Sequence, residues 1–213
     1  MTAWRPRSRS WRDASFAVLD FETTGLDLAH DHVVSFGLVP VERGRIRMSD
    51  ALYRVVRPPI PVPPESIRVH GIRPLELESV PEFRDVADEV QGALEGRRLV
   101  AHACGIELAF LGRLYEGRGQ RPPRRAIDVI DLAAELTEQE REIPVRSWRL
   151  SDMAKRYGVP VVRTHHAFGD AFVTAQLFLV LATRLERLGV ASVRDLERAG
   201  RSLHKIERLT CRR

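Results

Sequence analysis

Near the start of this 213-residue chain an apolar run ends in two carboxylates, Phe16-Ala-Val-Leu-Asp20-Phe-Glu22, and Thr23-Thr-Gly25-Leu26 follows at once. Branched and aromatic residues bounded by a glycine turn read as a short, buried strand. Alternate side chains of a strand share a face, so Asp20 and Glu22 point the same way. Two like charges on one face repel and are costly to desolvate, and a hard divalent cation with oxygen ligands relieves both costs. Taken alone, the pattern fits a solvated strand edge better. Its weight comes from what stands elsewhere in the chain.

The length suits one α/β domain or one domain with a short appendage, and a 44% apolar content is enough to build a core. No apolar run approaches the ~20 residues of a membrane span, and the Arg-rich start has no apolar segment of the signal-peptide kind. Cys104 and Cys211 are the only cysteines and form no paired motif. That usage suits a reducing cytosol, so the expected location is cytoplasmic with no membrane role. The net charge of +5 favours a polyanionic partner without naming one.

Residues 1–12 carry four arginines and two tryptophans without periodicity. They read as a loose arm whose Trp11 packs on the body, with phosphate binding as the alternative. Strands are expected at Val33–Val41 and Ile46–Val56, joined at Arg43-Gly44. The proline-rich stretch 58–64 must be extended, and Glu65–Ile72 reads as turn and loop. A helix is expected over Pro81–Leu94, a buried strand at Arg98–Ala103 and a helix over Ile106–Tyr115. A short strand at Ala126–Val129 and helices at Ile130–Leu136, Leu150–Tyr157 and His166–Leu188 follow. Three meander strands followed by alternating helix and strand imply a mixed sheet flanked by helices. From Ser192 onward, apolar residues at helical spacing alternate with basic ones, an amphipathic tail.

Two further places carry chemistry. Glu107 stands where the strand through His102 turns into a helix. His165-His-Ala-Phe-Gly-Asp170 opens the long helix, and His165 shares a helix face with Asp170 only if it sits at or before the first turn. Four carboxylates and one histidine can thus converge at one end of a sheet.

These motifs resemble the DnaQ-like superfamily of 3′–5′ exonucleases, DEDDh branch, whose members include the proofreading epsilon subunit of bacterial DNA polymerase III. The first motif is matched by Asp20-Phe-Glu22-Thr-Thr-Gly-Leu26 and the third, H-x-A-x-x-D, by His165 to Asp170. Val69-His-Gly-Ile72 and Asp128-Val-Ile-Asp-Leu-Ala133 are shorter echoes. The resemblance runs from about Ser15 to Leu185. It implies an RNase H-like fold with a mixed five-stranded sheet in a single domain, spanning 15–188, between a basic arm (1–14) and a helical tail (189–213). The second motif departs from the family's usual H-N-A-x-F-D, reading His102-Ala-Cys-Gly-Ile-Glu107, with a carboxylate arm longer by about 1.5 Å.

The resemblance implies two Mg²⁺ or Mn²⁺ ions held by Asp20, Glu22, Glu107 and Asp170, with His165 as general base. It implies that Thr23 meets the terminal 3′-hydroxyl, that Leu26 wedges against the last base, and that Val69, His70 and Ile106 line the terminal nucleotide. His166 falls where the sister DEDDy branch carries a tyrosine, and a solvated helix-end residue is the plainer reading. Single-stranded DNA 3′ ends are the expected substrate, with a replication or repair protein as a possible partner. RNA is the nearest alternative, and the altered second motif admits a nuclease-weak module that holds DNA ends.

Overall fold

The computed structural model describes residues 9–119, 121–123, 125–141, 147–161 and 164–200. The outer parts of the basic arm and of the helical tail, with Cys211, lie outside them. The strands are β1 (Ser15–Thr23), β2 (Val33–Glu42), β3 (Arg45–Ile46), β4 (Leu52–Val55), β5 (Arg98–Ala101) and β6 (Ala126–Asp128). The helices are α1 (Pro64–His70), α2 (Pro74–Leu77), α3 (Ala87–Leu94), α4 (Gly105–Leu114), α5 (Val129–Gln139), α6 (Leu150–Arg156), α7 (Ala167–Arg187) and α8 (Val193–Ala199).

The sheet runs β3-β2-β1-β5-β6, with β4 pairing β2 beside β3. β1 is antiparallel to β2 and parallel to β5, the mixed sheet expected. The third meander strand is split into β3 and β4. Pro40 of β2 has no N–H to offer a neighbour, and the third strand leaves the ladder there; Arg47 donates to the Pro40 carbonyl and a 3₁₀ turn spans Met48–Asp50.

β1 is buried on both sides. Phe16 and Val18 face one apolar cluster with α5, α6 and α7, while Ala17, Leu19 and Phe21 face another with α3 and α4. α7 is the core helix: its Phe178 packs on Phe16 (ring centroids 4.8 Å apart) and on Trp11. Its length and composition would suffice to cross a bilayer, but its apolar face, with Leu177, Phe178 and Leu181, is spent on this core. Burying a large apolar side chain is worth about 2–3 kcal/mol, so the sheet and α7 hold each other firmly. The helix ends at Arg187 with Leu188 as its C-cap, and Gly189 takes the left-handed φ of 93°.

Where the sequence suggested a loop at 65–72, the structure has α1. Its signals are Pro64 at the first helical position and Gly71 in left-handed conformation just past the end. The expected helix over Pro81–Leu94 begins as a 3₁₀ turn, Phe83–Val86, before α3. Trp11 is fully buried, as expected of the arm's inner end, and Arg12 pairs with Glu186 on α7 at 2.6 Å. Leu196 of α8 is buried in the same core.

One geometric consequence matters for function. β1 pairs with β5 only through Phe16–Val18. Beyond Val18 the next chain has turned away, leaving the carboxyl end of β1 open on that side. Crevices of this kind, at the carboxyl ends of strands, are where sheets of α/β proteins place ligands.

Candidate metal centre and active site

Asp20 and Glu22 project from the open end of β1 on the face that meets α7. Opposite them on β2 stand Gly37 and Ser35, respectively. Gly37 is there because α7 lies directly on it: a Cβ at this position would sit 2.4 Å from the Ala167 carbonyl oxygen and the Phe168 backbone. That close approach brings the first turn of α7, and with it Asp170, onto the β1 carboxylates. Oxygens of Asp20, Glu22 and Asp170 lie within 4.8 Å of one another.

α4 delivers Glu107 from the other side. The turn before it is held by Asp128, a buried residue at the end of β6. Its carboxylate accepts from Ala103 N (3.2 Å) and Cys104 N (2.9 Å), and caps α5 by accepting from Ile130 N (2.9 Å). Ala103 is forced to a left-handed φ of 59°. The usual asparagine of the second motif suits that conformation better than alanine does. Glu107 itself is only 3% exposed, and its Oε2 has no hydrogen-bond partner.

The electrostatics describe a site short of positive charge. Burial, then Glu107, Asp170 and Glu22, push the Asp20 carboxyl well up. Burial and Asp170 raise Glu22 to about 7. Burial raises Glu107 to about 8, Asp128 adding to this while backbone N–H groups oppose it. Asp170 is raised by burial, against the stabilising N–H of His165. Converging carboxylates with an orphaned buried oxygen fit a divalent cation, which replaces the protons these groups otherwise keep.

His165 lies just before the α7 cap, exposed, with φ 59°, and its N–H donates to Asp170 Oδ2 at 2.9 Å. It therefore stands ahead of the first turn, as sharing a face with Asp170 required. His166 is the cap: its Nδ1 accepts from Gly169 N, and its ring stacks on Tyr53 of β4 instead of lying free in solvent. His102 donates from Nε2 to the Trp148 carbonyl at 2.7 Å, and its charge favours ionised Asp170.

The residues expected at the terminal nucleotide divide. Leu26 is 75% and Val69 53% exposed, both free to meet a ligand. The Thr23 hydroxyl donates to the Gly25 carbonyl (2.6 Å), His70 Nδ1 accepts from Ile72 N (3.0 Å), and Ile106 packs against the α3–α4 core. The loop between is tied down by the Asp31 carboxylate, which accepts from Thr24 Oγ1 and Asp27 N, and by Arg113, which donates to the Leu28 and Asp31 carbonyls. A groove of about 530 Å³ lined by His32, Phe83 and Arg113 opens behind this loop, and Asp20, Glu22, Glu107 and Asp170 are not among its lining residues. Asp128, Gly37 and Tyr53 were not singled out as contributors from sequence; only the short echo beginning at Asp128 hinted at one.

The comparisons with known proteins agree. The RNase T exonuclease family model matches residues 17–178. A PolC-type DNA polymerase III from Thermotoga maritima is 32% identical over 188 residues, 87% of this chain and 13% of that protein. The 3′–5′ exonuclease DinG of Staphylococcus haemolyticus is 27% identical over 183 residues, 85% of this chain and 20% of that one. The chain thus spans a minor part of either relative. Exonuclease X in complex with 5′-overhanging duplex DNA superposes with a TM-score of 0.68 at 20% identity, covering 87% of this chain and 99% of that one. The nuclease domain of 3′hExo, a DEDDh family member bound to rAMP, does so with a TM-score of 0.67 at 18% identity, covering 85% and 96%. These two likenesses speak for the RNase H-like exonuclease fold. Matched from Ala17 to Phe178, with its acidic residues gathered at the open end of the sheet, the chain belongs to the RNase T exonuclease family.

Proposed function

We propose that this protein is a divalent-metal-dependent 3′–5′ exonuclease that releases nucleoside 5′-monophosphates from DNA ends. The observation that carries the reading is the meeting of Asp20, Glu22 and Asp170 oxygens within 4.8 Å, beside buried Glu107 and next to exposed His165. Asp20, Glu22 and Asp170 would hold one Mg²⁺ or Mn²⁺, and Asp20 with Glu107 would support a second; such ions would lower the pKa of an attacking water and stabilise the leaving oxygen.

The chain's own groups do the rest. His165 takes the proton of the attacking water while the new bond to phosphorus forms and the bond to the 3′ oxygen breaks. Its backbone N–H on Asp170 holds it beside the acidic cluster. Leu26 and Val69 present apolar surface to the terminal nucleotide, and Thr23, His70 and Ile106 shape the ground beneath it. DNA is favoured because the PolC-type relative is a DNA polymerase III by name and the other relative a 3′–5′ exonuclease by name; we extend this to a replication or repair setting, and the sparse, unpaired cysteines favour a cytoplasmic one. We take 15–188 as the exonuclease domain, flanked by the arm and the tail.

The test is digestion of a 5′-labelled single strand with Mg²⁺ or Mn²⁺, beside an EDTA control, the Asp20→Ala variant and a matched RNA strand. A ladder shortening from the 3′ end, absent with EDTA and in Asp20→Ala, is the expected result. Faster loss of the RNA would reassign the substrate. Retained strand binding without cleavage under either metal would overturn the enzymatic reading.

A further inference from the structure

We propose that Tyr53 is a positioning residue for His165 and Asp170, acting through its ring stack on His166; this rests on the active-site reading above. The β2–β4 register sets Tyr53 opposite Gly37, and the β1–β2 register sets Gly37 opposite Asp20. Cross-strand partners share a face, so Tyr53 and Asp20 flank a gap in which Gly37 contributes no side chain. The first turn of α7 descends into that gap onto the Gly37 backbone. Tyr53 then meets His166 ring to ring, centroids 4.5 Å apart and planes 24° from parallel.

His166 is the joint between the two groups that matter. Its Nδ1 accepts from Gly169 N, and its carbonyl accepts from Asp170 N at 2.9 Å, so its conformation sets how α7 begins. The residue before it is His165, whose N–H returns to Asp170 Oδ2. His165 is exposed and has a left-handed backbone that costs energy for any residue with a Cβ. Without an external hold on His166, residues 164–166 can relax to ordinary φ values and swing the imidazole away. Tyr53 supplies that hold.

A catalytic base displaced by about 1 Å can cost about a hundredfold in rate. The experiment compares the full-length wild type with Tyr53→Ala, Tyr53→Phe, His166→Asn and the Tyr53→Ala/His166→Asn double variant. Readouts are kcat and KM on the 5′-labelled strand, thermal midpoint, and histidine ring-proton NMR of the metal-free protein. Expected is a fall of about ten- to a hundredfold in kcat for Tyr53→Ala, with KM and midpoint little changed. Tyr53→Phe keeps the stack and retains wild-type kcat. The double variant is no slower than the slower single one, because both remove the same contact.

In the NMR spectra, Tyr53→Ala moves the ring signals of both His165 and His166, and Tyr53→Phe leaves them in place. Unchanged kcat in Tyr53→Ala, additive losses, or a kcat loss that follows the midpoint would overturn the proposal. If the wild type shows no Asp20-dependent cleavage, the active-site reading fails by itself. The NMR comparison then decides the positioning role: movement of the His165 signals supports it, and their constancy overturns it.

Discussion

Two helices bring the acidic residues that β1 does not carry, and they begin in contrasting ways. Both are preceded by a non-glycine residue at φ 59°, Ala103 before α4 and His165 before α7. α4 has no side-chain cap of its own; its turn is gripped from a neighbouring strand by buried Asp128. α7 caps itself through His166 and is braced by Tyr53 and by close contact on Gly37. The result is a rigid, buried carboxylate at Glu107 and an exposed imidazole at His165. A ligand gains from fixity, and a proton carrier needs access to solvent and substrate. The same backbone device thus suits both of the roles proposed for these residues, and the supporting residues make the difference.

The comparison is broken most severely by removing each support. Asp128→Ala leaves backbone donors of two helix starts unsatisfied in the interior. It should cost about 3 kcal/mol or more, a drop of about 10 °C in thermal midpoint. Gly37→Ala should lift the first turn of α7, since the clash is with backbone; about 3 kcal/mol and most of the strand cleavage should go with it. If Gly37→Ala cleaves normally, the close approach does not set the site.

Glu107→Gln keeps the shape and removes the charge, and a loss of about a hundredfold in kcat, roughly 2.7 kcal/mol, is expected. Glu107→Asp should lose about tenfold, since the helix start gripped by Asp128 cannot follow the shorter arm. A rate increase in Glu107→Asp would mean that α4 is set for the shorter residue and that the present glutamate impairs the site.

Protons sharpen the comparison further. Glu22 at about 7 and Glu107 at about 8 bind protons more tightly folded than unfolded. The stability that these two groups contribute to the metal-free protein is therefore fully present at low pH and is lost as pH rises from about 5 through 8. Divalent cation should restore it at pH 8, and at pH 7 its uptake should release protons. Calorimetry in buffers of different ionisation enthalpy measures that release, and a thermal midpoint flat across this range in metal-free protein would contradict the buried-carboxylate picture.

The smallest effect belongs to Ala103→Gly. Relief of the left-handed strain, offset by the entropy glycine loses on folding, should stabilise by about 0.5 kcal/mol with little change in rate. His165→Gly offers the contrast: similar relief, but loss of the proposed base.

Much of this site was legible in the chain itself. The two-residue period of a strand places Asp20 and Glu22 together, and the five-residue spacing of His165 to Asp170 allows a shared face only if the histidine sits at or before the first turn. The order of strands and helices implied the mixed sheet. Pro64 and Gly71 also marked α1, although a proline-rich approach and a short length hid it. Such features depend on neighbours within one or two helical turns, which local geometry dictates.

What the tertiary structure decided is everything that joins distant stretches. Asp128 reaching Ala103 and Cys104, Tyr53 meeting His166, Gly37 yielding space to Ala167 and Asp170 arriving at Asp20 link residues far apart in the chain. No periodicity records such pairings, because they arise when the sheet is covered by α7 and the ends of β1 and β5 diverge. The sequence determined which groups were available and which way each faced along its own element. Only packing decided that they converge, since convergence is a property of the core that forces the elements together.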